Sequence, residues 1–117
     1  MTPERKIQNE ICSYLAFRSV LFFIHDSVGM FDPRRGVFRS NRSPYRRRGV
    51  SDLLGIYHGR PLAIEVKSAT GKVSPHQKAF LDDWKKSGGI GFVARSVADV
   101  IEGLRSCPHC KEAEPQP

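Results

Sequence analysis

Long apolar runs and cysteines are both scarce in this chain. No apolar stretch is long enough to span a bilayer, so we expect no membrane partner. The first residues, Met1–Lys6, lack the apolar segment that a secretory signal requires. The three cysteines provide no even disulfide framework. Together with the missing signal, they predict a reducing, cytoplasmic location.

Acidic residues are also in short supply. Twelve Asp and Glu residues face 19 Lys and Arg residues, which leaves a net charge of +7 and a pI near 9.7. This excess indicates a polyanionic partner, most simply nucleic acid, although solubility alone would also account for it. The length of 117 residues and the hydrophobic fraction of 39% predict a single domain with one modest core.

The segment from Asp52 to Lys67 is the one around which the chain is organised. Its two apolar runs, Leu53–Tyr57 and Leu62–Val66, are short and bounded by glycine and proline, which predicts two buried strands joined by a tight turn. Side chains alternate along a strand, so Glu65 lies on the same face as the lysine two residues later. If the hairpin is in register, two carboxylates and one ammonium group converge on a small volume.

Charged groups inside an apolar strand need a compensating partner. Burying them costs several kcal/mol unless they are paired or bound to a metal ion. Two carboxylates suit Mg²⁺, which completes its coordination with water and phosphate oxygens. A neighbouring lysine can orient or deprotonate an attacking water, or offset charge on the phosphorus. The alternative interpretation is a surface hairpin that carries a solvated Glu–Lys pair.

These residues resemble a known group of nucleases. Gly49-Val-Ser-Asp52 followed by Ile64-Glu-Val-Lys67 is similar to the metal-binding core of the PD-(D/E)XK superfamily. Two further segments, Lys72–Leu81 and Gly88–Arg95, extend the resemblance to the VRR-NUC family, in its small stand-alone form from phages and bacteria. One departure is Ser51, where the superfamily has proline at a position that ligates nothing.

The resemblance runs from about Glu4 to Leu104. It implies an α/β fold with a restriction-endonuclease-like core, a mixed central sheet flanked by helices, over residues 1–105, followed by a flexible tail at 106–117. It implies a divalent-metal-dependent DNA endonuclease, structure-selective for junctions or flaps as Holliday-junction resolvases are, in phage or bacterial DNA replication, recombination or repair. The expected cofactor is Mg²⁺ or Mn²⁺, which oxygen ligands do not separate well. We also expect a homodimer, because small domains often pair to cut two strands.

The resemblance extends the candidate site beyond the hairpin. It adds Gln77, whose amide would approach the acids and hold water or phosphate, and an acid in the first helix. Glu4 matches that acid by its spacing to Ile7-Gln8, while Glu10 is a rival. The expected catalytic residues are Asp52, Glu65, Lys67, Gln77 and Glu4, and the expected metal ligands are Asp52, Glu65 and the backbone carbonyl of Val66.

A basic segment leads directly into this site. Residues 32–48 contain seven arginines among Gly, Pro, Ser and Asn, with Phe38 and Tyr45 interleaved. Irregular loops of this length are usually functional or disordered, and arginine forks bind phosphate while aromatic rings stack on bases. We therefore expect nucleic-acid contact rather than a merely solvated loop. The expected contacts are Arg39, Arg42, Arg46, Arg47, Arg48 and Lys72.

The remaining segments predict the other helices and strands. Capping and periodicity predict helices from Pro3 to about Arg18, from Pro75 to Gly88 and from Ser96 to about Leu104, with strands at 19–24 and 90–94. His25 and Asp26 could line the cleft or be structural.

The cysteines of the C-terminal tail leave a second question open. Cys107 and Cys110 with His109 suggest half a zinc site, which a dimer could complete; otherwise they are free thiols. For the protein as a whole, the alternative function is a non-catalytic nucleic-acid-binding module on the same fold.

Overall fold

The computed structural model describes residues 1–26, 30–32, 34, 36–39 and 43–106, with the backbone alone for 30–32 and 37–39. This part of the chain forms three helices and a mixed four-stranded sheet, which confirms the α/β class. In chain order they are α1 (Pro3–Phe17), β1 (Leu21–Ile24), β2 (Met30–Asp32), β3 (Val37–Arg39), β4 (Leu53–Tyr57), β5 (Arg60–Val66), α2 (Pro75–Lys86), β6 (Ile90–Ala94) and α3 (Val97–Arg105). No helix in these ranges is both long and apolar enough to cross a membrane.

A mixed four-stranded sheet forms the centre of the fold. Its strand order is β1-β4-β5-β6, and only the β5–β6 pair is parallel. Helices α1 and α3 pack on one face and α2 packs on the other. This arrangement fits the restriction-endonuclease-like core that the sequence predicted.

Strand β5 carries the core on both of its faces. Ile64 and Val66 are fully buried in the cluster that includes α1 and α3, whereas Ala63 packs against α2. Because side chains alternate along a strand, Glu65 points to the α2 side together with Ala63. Strand β5 therefore contributes to the core and also places the Glu65 carboxylate beneath α2.

Side-chain caps begin the helices where the sequence predicts them. Thr2 Oγ1 accepts a hydrogen bond from the Arg5 amide at 3.1 Å, and Ser96 Oγ accepts one from the Asp99 amide at 3.2 Å. Ser74 caps α2 in the same way. Each cap satisfies an amide that the first helical turn would otherwise leave without a partner.

Two strand boundaries differ from the sequence expectation. The β4–β5 turn has only two residues, His58 and Gly59, both with positive φ (49° and 79°), so β5 begins at Arg60 and not at Leu62. Such turns match the twist of the flanking strands and allow pairing directly outside the turn. Strand β1 begins two residues later than expected, because Ser19 has a φ of 57° and belongs to the connection after α1.

The basic segment is not irregular throughout, so that expectation is wrong for part of it. Strands β2 and β3 form a separate antiparallel pair in which Phe31 lies opposite Phe38. Valine and phenylalanine favour extended backbone, and Gly36, with a φ of 64°, permits the chain to reverse between them.

Candidate active site

The β4–β5 hairpin brings Asp52 beside Glu65. Leu53 pairs with Ile64, so the next residue outward on each strand is one of the two acids. Asp52 Oδ2 accepts a hydrogen bond from the Val66 amide at 2.9 Å. Because β4 begins only at Leu53, this side-chain bond extends the β4–β5 ladder by one hydrogen bond beyond the strand. The backbone of β5 therefore fixes the position of the Asp52 side chain.

Glu65 is buried, with only 2% of its surface exposed. Its Oε1 accepts a hydrogen bond from Gln77 Nε2 at 2.9 Å and lies 3.9 Å from Lys67 Nζ. Its Oε2 is also buried but has no hydrogen-bond donor in the described part of the chain. A carboxylate can only accept hydrogen bonds, so neighbouring Asp52 cannot satisfy this oxygen unless a proton or a cation lies between them.

The surroundings of Glu65 favour its protonated form. Burial, the negative charge of Asp52, the proton that the two carboxyl groups can share and the more distant Glu4 together raise the pKa of Glu65 from 4.5 to about 8, against the opposing effect of Lys67. Two neighbouring carboxyl groups favour the state in which one of them is protonated. The site therefore gathers more negative charge than its lysine offsets.

Gln77 is oriented by the start of α2. Its side-chain Oε1 accepts a hydrogen bond from the Ser74 amide at 2.9 Å, and its own amide donates to Ser74 Oγ at 3.1 Å. This reciprocal capping box fixes which end of the side-chain amide faces outward. The amino group is left to donate to Glu65, so helix capping and the acid cluster are linked through one side chain.

The structure also brings Glu4 within electrostatic range of the site. Glu4 lies in the first turn of α1 and is one of the charges that raise the pKa of Glu65, whereas its rival Glu10 is not among them. Glu4 is exposed, so its side chain remains open to water. The geometry favours Glu4 over Glu10 as the more remote acid of the site.

The residues of the hairpin fit a divalent cation. No three His, Cys, Asp or Glu side chains in the described ranges lie close enough to hold an ion by themselves. Mg²⁺, however, commonly uses one or two carboxylates and takes its other ligands from water and substrate. The amide and carbonyl of a strand residue point to the same side, so the Val66 carbonyl faces the side on which its amide meets Asp52. The Glu65 oxygen that has no donor among the described residues would be a further oxygen ligand for such an ion.

Gly49 lets the strand that carries Asp52 approach α2. A Cβ atom at this position would lie 2.3–2.6 Å from backbone atoms of His76 and Gln77, and the φ of Gly49 is 77°. No larger residue fits without moving the first turn of α2, and with it the amide that contacts Glu65. The glycine of the Gly-Val-Ser-Asp motif is therefore a packing requirement of the site.

We expect Gly49→Ala to destabilise the protein by more than about 2 kcal/mol, because the backbone strain of about 1–2 kcal/mol adds to a clash with backbone atoms. Gly59→Ala is the matched control: its φ is 79°, but a Cβ there meets nothing within 4 Å. The free energies of unfolding of both variants, measured in urea, separate the backbone strain from the clash with α2. Equal losses of stability would show that the contact with α2 is unimportant.

The predicted phosphate-binding residues lie in different surroundings. Arg46, Arg48 and Lys72 are exposed. Arg47 instead contacts α2, where its Nη2 lies 2.7 Å from Asp83 Oδ2 and its guanidinium stacks 5.5 Å from the centre of the Phe80 ring. The side chains of Arg39 and Arg42 lie outside the described residues, as do the Cys107–Cys110 pair and the rest of the tail.

Sequence reasoning missed three features of this region. The tether between Arg47 and α2 has no sequence signal, because Asp83 is 36 residues away. The departure at Ser51 proves to be a fully buried hydroxyl without a hydrogen-bond partner in the described part. Arg95, which follows β6, contacts the loop after Lys67; its position at the end of the Gly88–Arg95 motif was the available signal.

The fold and the site together define a class of protein. A mixed sheet with helices on both faces, with two acids and a lysine at the end of its central hairpin, is the arrangement of a PD-(D/E)XK-type core. A family model described as the VRR-NUC domain matches residues 35–98, more than half of the chain. The chain belongs to the VRR-NUC family, which is a nuclease-type family.

The match includes the acids, lysine and glutamine of the hairpin and α2, whereas Glu4 in α1 lies outside it. A comparison with curated proteins finds no match.

Proposed function

We propose that this protein is a divalent-metal-dependent DNA endonuclease, structure-selective for junctions or flaps, that acts in phage or bacterial DNA replication, recombination or repair. Membership of a nuclease-type family supports the reaction class. The observation that supports the metal dependence is the buried Oε2 of Glu65, which has no donor among the described residues, in a carboxyl group that neighbours the charge of Asp52. Such an oxygen is costly to bury without a cation or a proton.

Asp52, Glu65 and the carbonyl of Val66 would hold the ion. When bound, Mg²⁺ or Mn²⁺ would lower the pKa of a water molecule and place positive charge beside the phosphate oxygens. Gln77 keeps Glu65 oriented through its 2.9 Å hydrogen bond. The ammonium group of Lys67 donates hydrogen bonds to the attacking water or to a phosphate oxygen, where negative charge increases in the transition state. Water would lose a proton as its oxygen bonds to phosphorus, and the P–O bond to one deoxyribose oxygen would break as that oxygen takes up a proton.

The exposed basic residues would bind the DNA backbone on either side of the reacting phosphate. Arg46 and Arg48 precede the Asp52 strand, and Lys72 follows Lys67 in the chain, so positive charge flanks the acids on both connections. Phosphate contacts orient a nucleic acid without reading its sequence. Structure selectivity would then depend on the shape of the DNA and on how two protomers of a homodimer present their sites.

A cleavage panel tests the proposal. Junction, flap, duplex and single-stranded DNA are incubated with the full chain in Mg²⁺, Mn²⁺ or EDTA, and light scattering measures whether the mass is 13.2 kDa or twice that value. We expect cleavage of branched DNA only with a divalent ion, by a dimer. Tight binding without cleavage under every condition would instead support the non-catalytic module.

Individual arginines of the basic segment should differ in their effect on DNA binding. Arg46→Ala and Arg48→Ala should each reduce the slope of log Kd against log salt by the amount that one phosphate contact contributes. Arg47→Ala should leave the slope nearly unchanged, because its guanidinium is already paired with Asp83. Fluorescence anisotropy in EDTA at several salt concentrations gives the slopes. An equal loss for all three variants would mean that DNA displaces the ion pair with Asp83.

A further inference from the structure

Arg95 closes the loop that follows the lysine of the candidate site. Its Nη1 donates hydrogen bonds to the carbonyl oxygens of Ser68 and Gly71, at 2.5 and 2.7 Å. The amide of Gly71 also donates to Ser68 O at 3.2 Å. One guanidinium nitrogen therefore joins both ends of a four-residue turn, Ser68–Gly71.

This turn lies against the side chain of Lys67. A Cβ atom added to Gly71 would meet Lys67 Cδ at 3.5 Å, an ordinary contact distance, so Gly71 lies beside the stem of the lysine. The backbone of Lys67 is fixed separately, since its amide donates to Ala94 O at 3.0 Å. The lysine is thus held at its main chain by β6, and the turn that Arg95 closes borders its side chain.

The charge of Arg95 has no carboxylate partner in the described part of the chain. The nearest acid in sequence, Asp99, accepts a hydrogen bond from the Arg95 amide at 2.8 Å, and so fixes the backbone of Arg95 rather than its guanidinium. The half-buried guanidinium is instead satisfied by carbonyl oxygens. Its side-chain hydrogen bonds are therefore directed at the loop that follows Lys67.

We propose that Arg95 is a positioning residue for Lys67: by closing the Ser68–Gly71 turn it holds the ammonium group near Glu65, where the hydrolysis takes place. The inference rests on the proposed nuclease function and adds to it a residue without contact with the reacting atoms. Because a displacement of about 1 Å can cost on the order of 100-fold in rate, loss of the turn should reduce kcat.

The test compares Arg95→Met, Arg95→Lys and Arg60→Ala in the full chain. Arg95→Met keeps the length of the side chain but removes its donors, so kcat should fall by on the order of 10- to 100-fold with an unchanged KM for DNA. Arg95→Lys should retain most of the activity, because one nitrogen with several donors can reach both carbonyls. Arg60 is the matched control: it also clamps a carbonyl, Gly88 O, at 2.7 and 3.2 Å, at the opposite end of the hairpin. Arg60→Ala should lower Tm and leave kcat unchanged.

A second measurement does not depend on cleavage. Limited acetylation with mass spectrometry gives the reactivity of Lys67 relative to that of exposed Lys72, and Arg95→Met should raise this ratio while Arg60→Ala should not. An unchanged ratio, an unchanged kcat, or a change confined to KM would overturn the positioning role, even if the wild-type protein cleaves DNA. Failure of the wild-type protein to cleave would reject the nuclease function, and the acetylation ratio would still decide whether Arg95 positions Lys67.

Discussion

Asp52→Asn is expected to reduce DNA cleavage by about a thousandfold or more, because the substitution removes one of the two carboxylate charges that would hold the proposed ion. The fold should be retained. The asparagine oxygen can still accept the hydrogen bond from the Val66 amide, which Asp52 Oδ2 now accepts at 2.9 Å. Lys67→Ala should have a comparable effect on cleavage, since no other ammonium group lies within 4.0 Å of Glu65 in the described part of the chain.

Single-turnover cleavage in Mg²⁺ measures this loss, and anisotropy in EDTA measures DNA binding separately. Binding should change little for either variant, because in the proposed function the exposed arginines, and not the acid site, would supply most of the phosphate contacts. Lys72→Ala is the control for Lys67→Ala: it removes an exposed lysine five residues further along the chain and should weaken binding slightly while the rate of the chemical step is retained. If Asp52→Asn or Lys67→Ala still cleaves at the wild-type rate, the site has been assigned to the wrong residues.

Glu65→Gln is expected to stabilise the metal-free protein at alkaline pH. The pKa of Glu65 is raised from 4.5 to about 8, chiefly by burial and then by the charge of Asp52. A raised pKa means that the folded state binds the proton more tightly than the unfolded state does. The stabilising contribution of that proton is fully present below about pH 4.5 and is lost as the pH rises through about 8. Glutamine mimics the protonated carboxyl group and has no proton to lose, so the variant keeps this stabilising contribution as the pH rises.

Thermal unfolding in EDTA between pH 4 and 9 measures this difference. The Tm of Glu65→Gln should exceed that of the wild type by an amount that grows with pH. Above pH 8 this difference should reach about 4 °C or more, which corresponds to roughly 1 kcal/mol. Glu10→Gln, in the exposed part of α1, is the control and should follow the wild type at every pH. Saturating Mg²⁺ should raise the Tm of the wild type at pH 8 and leave that of Glu65→Gln nearly unchanged. A pH-independent difference would mean that Glu65 is charged in the metal-free protein.

Short-range patterns explain why much of the site could be predicted. Asp52 and Glu65 are separated by one hairpin, and the tight turn at His58-Gly59 sets the register between them, so their proximity follows from local rules. The start of α2 follows from Ser74-Pro75 in the same way. The resemblance to the VRR-NUC family added Gln77, which hairpin geometry alone does not suggest.

Contacts between distant segments could not be predicted in this way. The basic segment was expected to be one irregular loop, but it contains the β2–β3 pair, because a local preference for extended backbone shows only weakly in arginine-rich sequence. Arg47 was grouped with its neighbours by composition, yet it pairs with Asp83 because the segment lies against α2. Arg95 has no pattern of its own and gains its contacts from the parallel pairing of β5 with β6.

The amino-acid sequence by itself determined the α/β class, the hairpin that joins the acids, the caps that begin the helices and the family to which the chain belongs. Each of these depends on neighbours along the chain or on residue types at fixed spacing. Only the tertiary structure decided that Glu65 is buried with one oxygen that has no donor among the described residues, that Gly49 must be small, and that Arg47 pairs with Asp83 of α2. Burial and contact between distant segments arise when the helices pack on the sheet, and no local spacing encodes them.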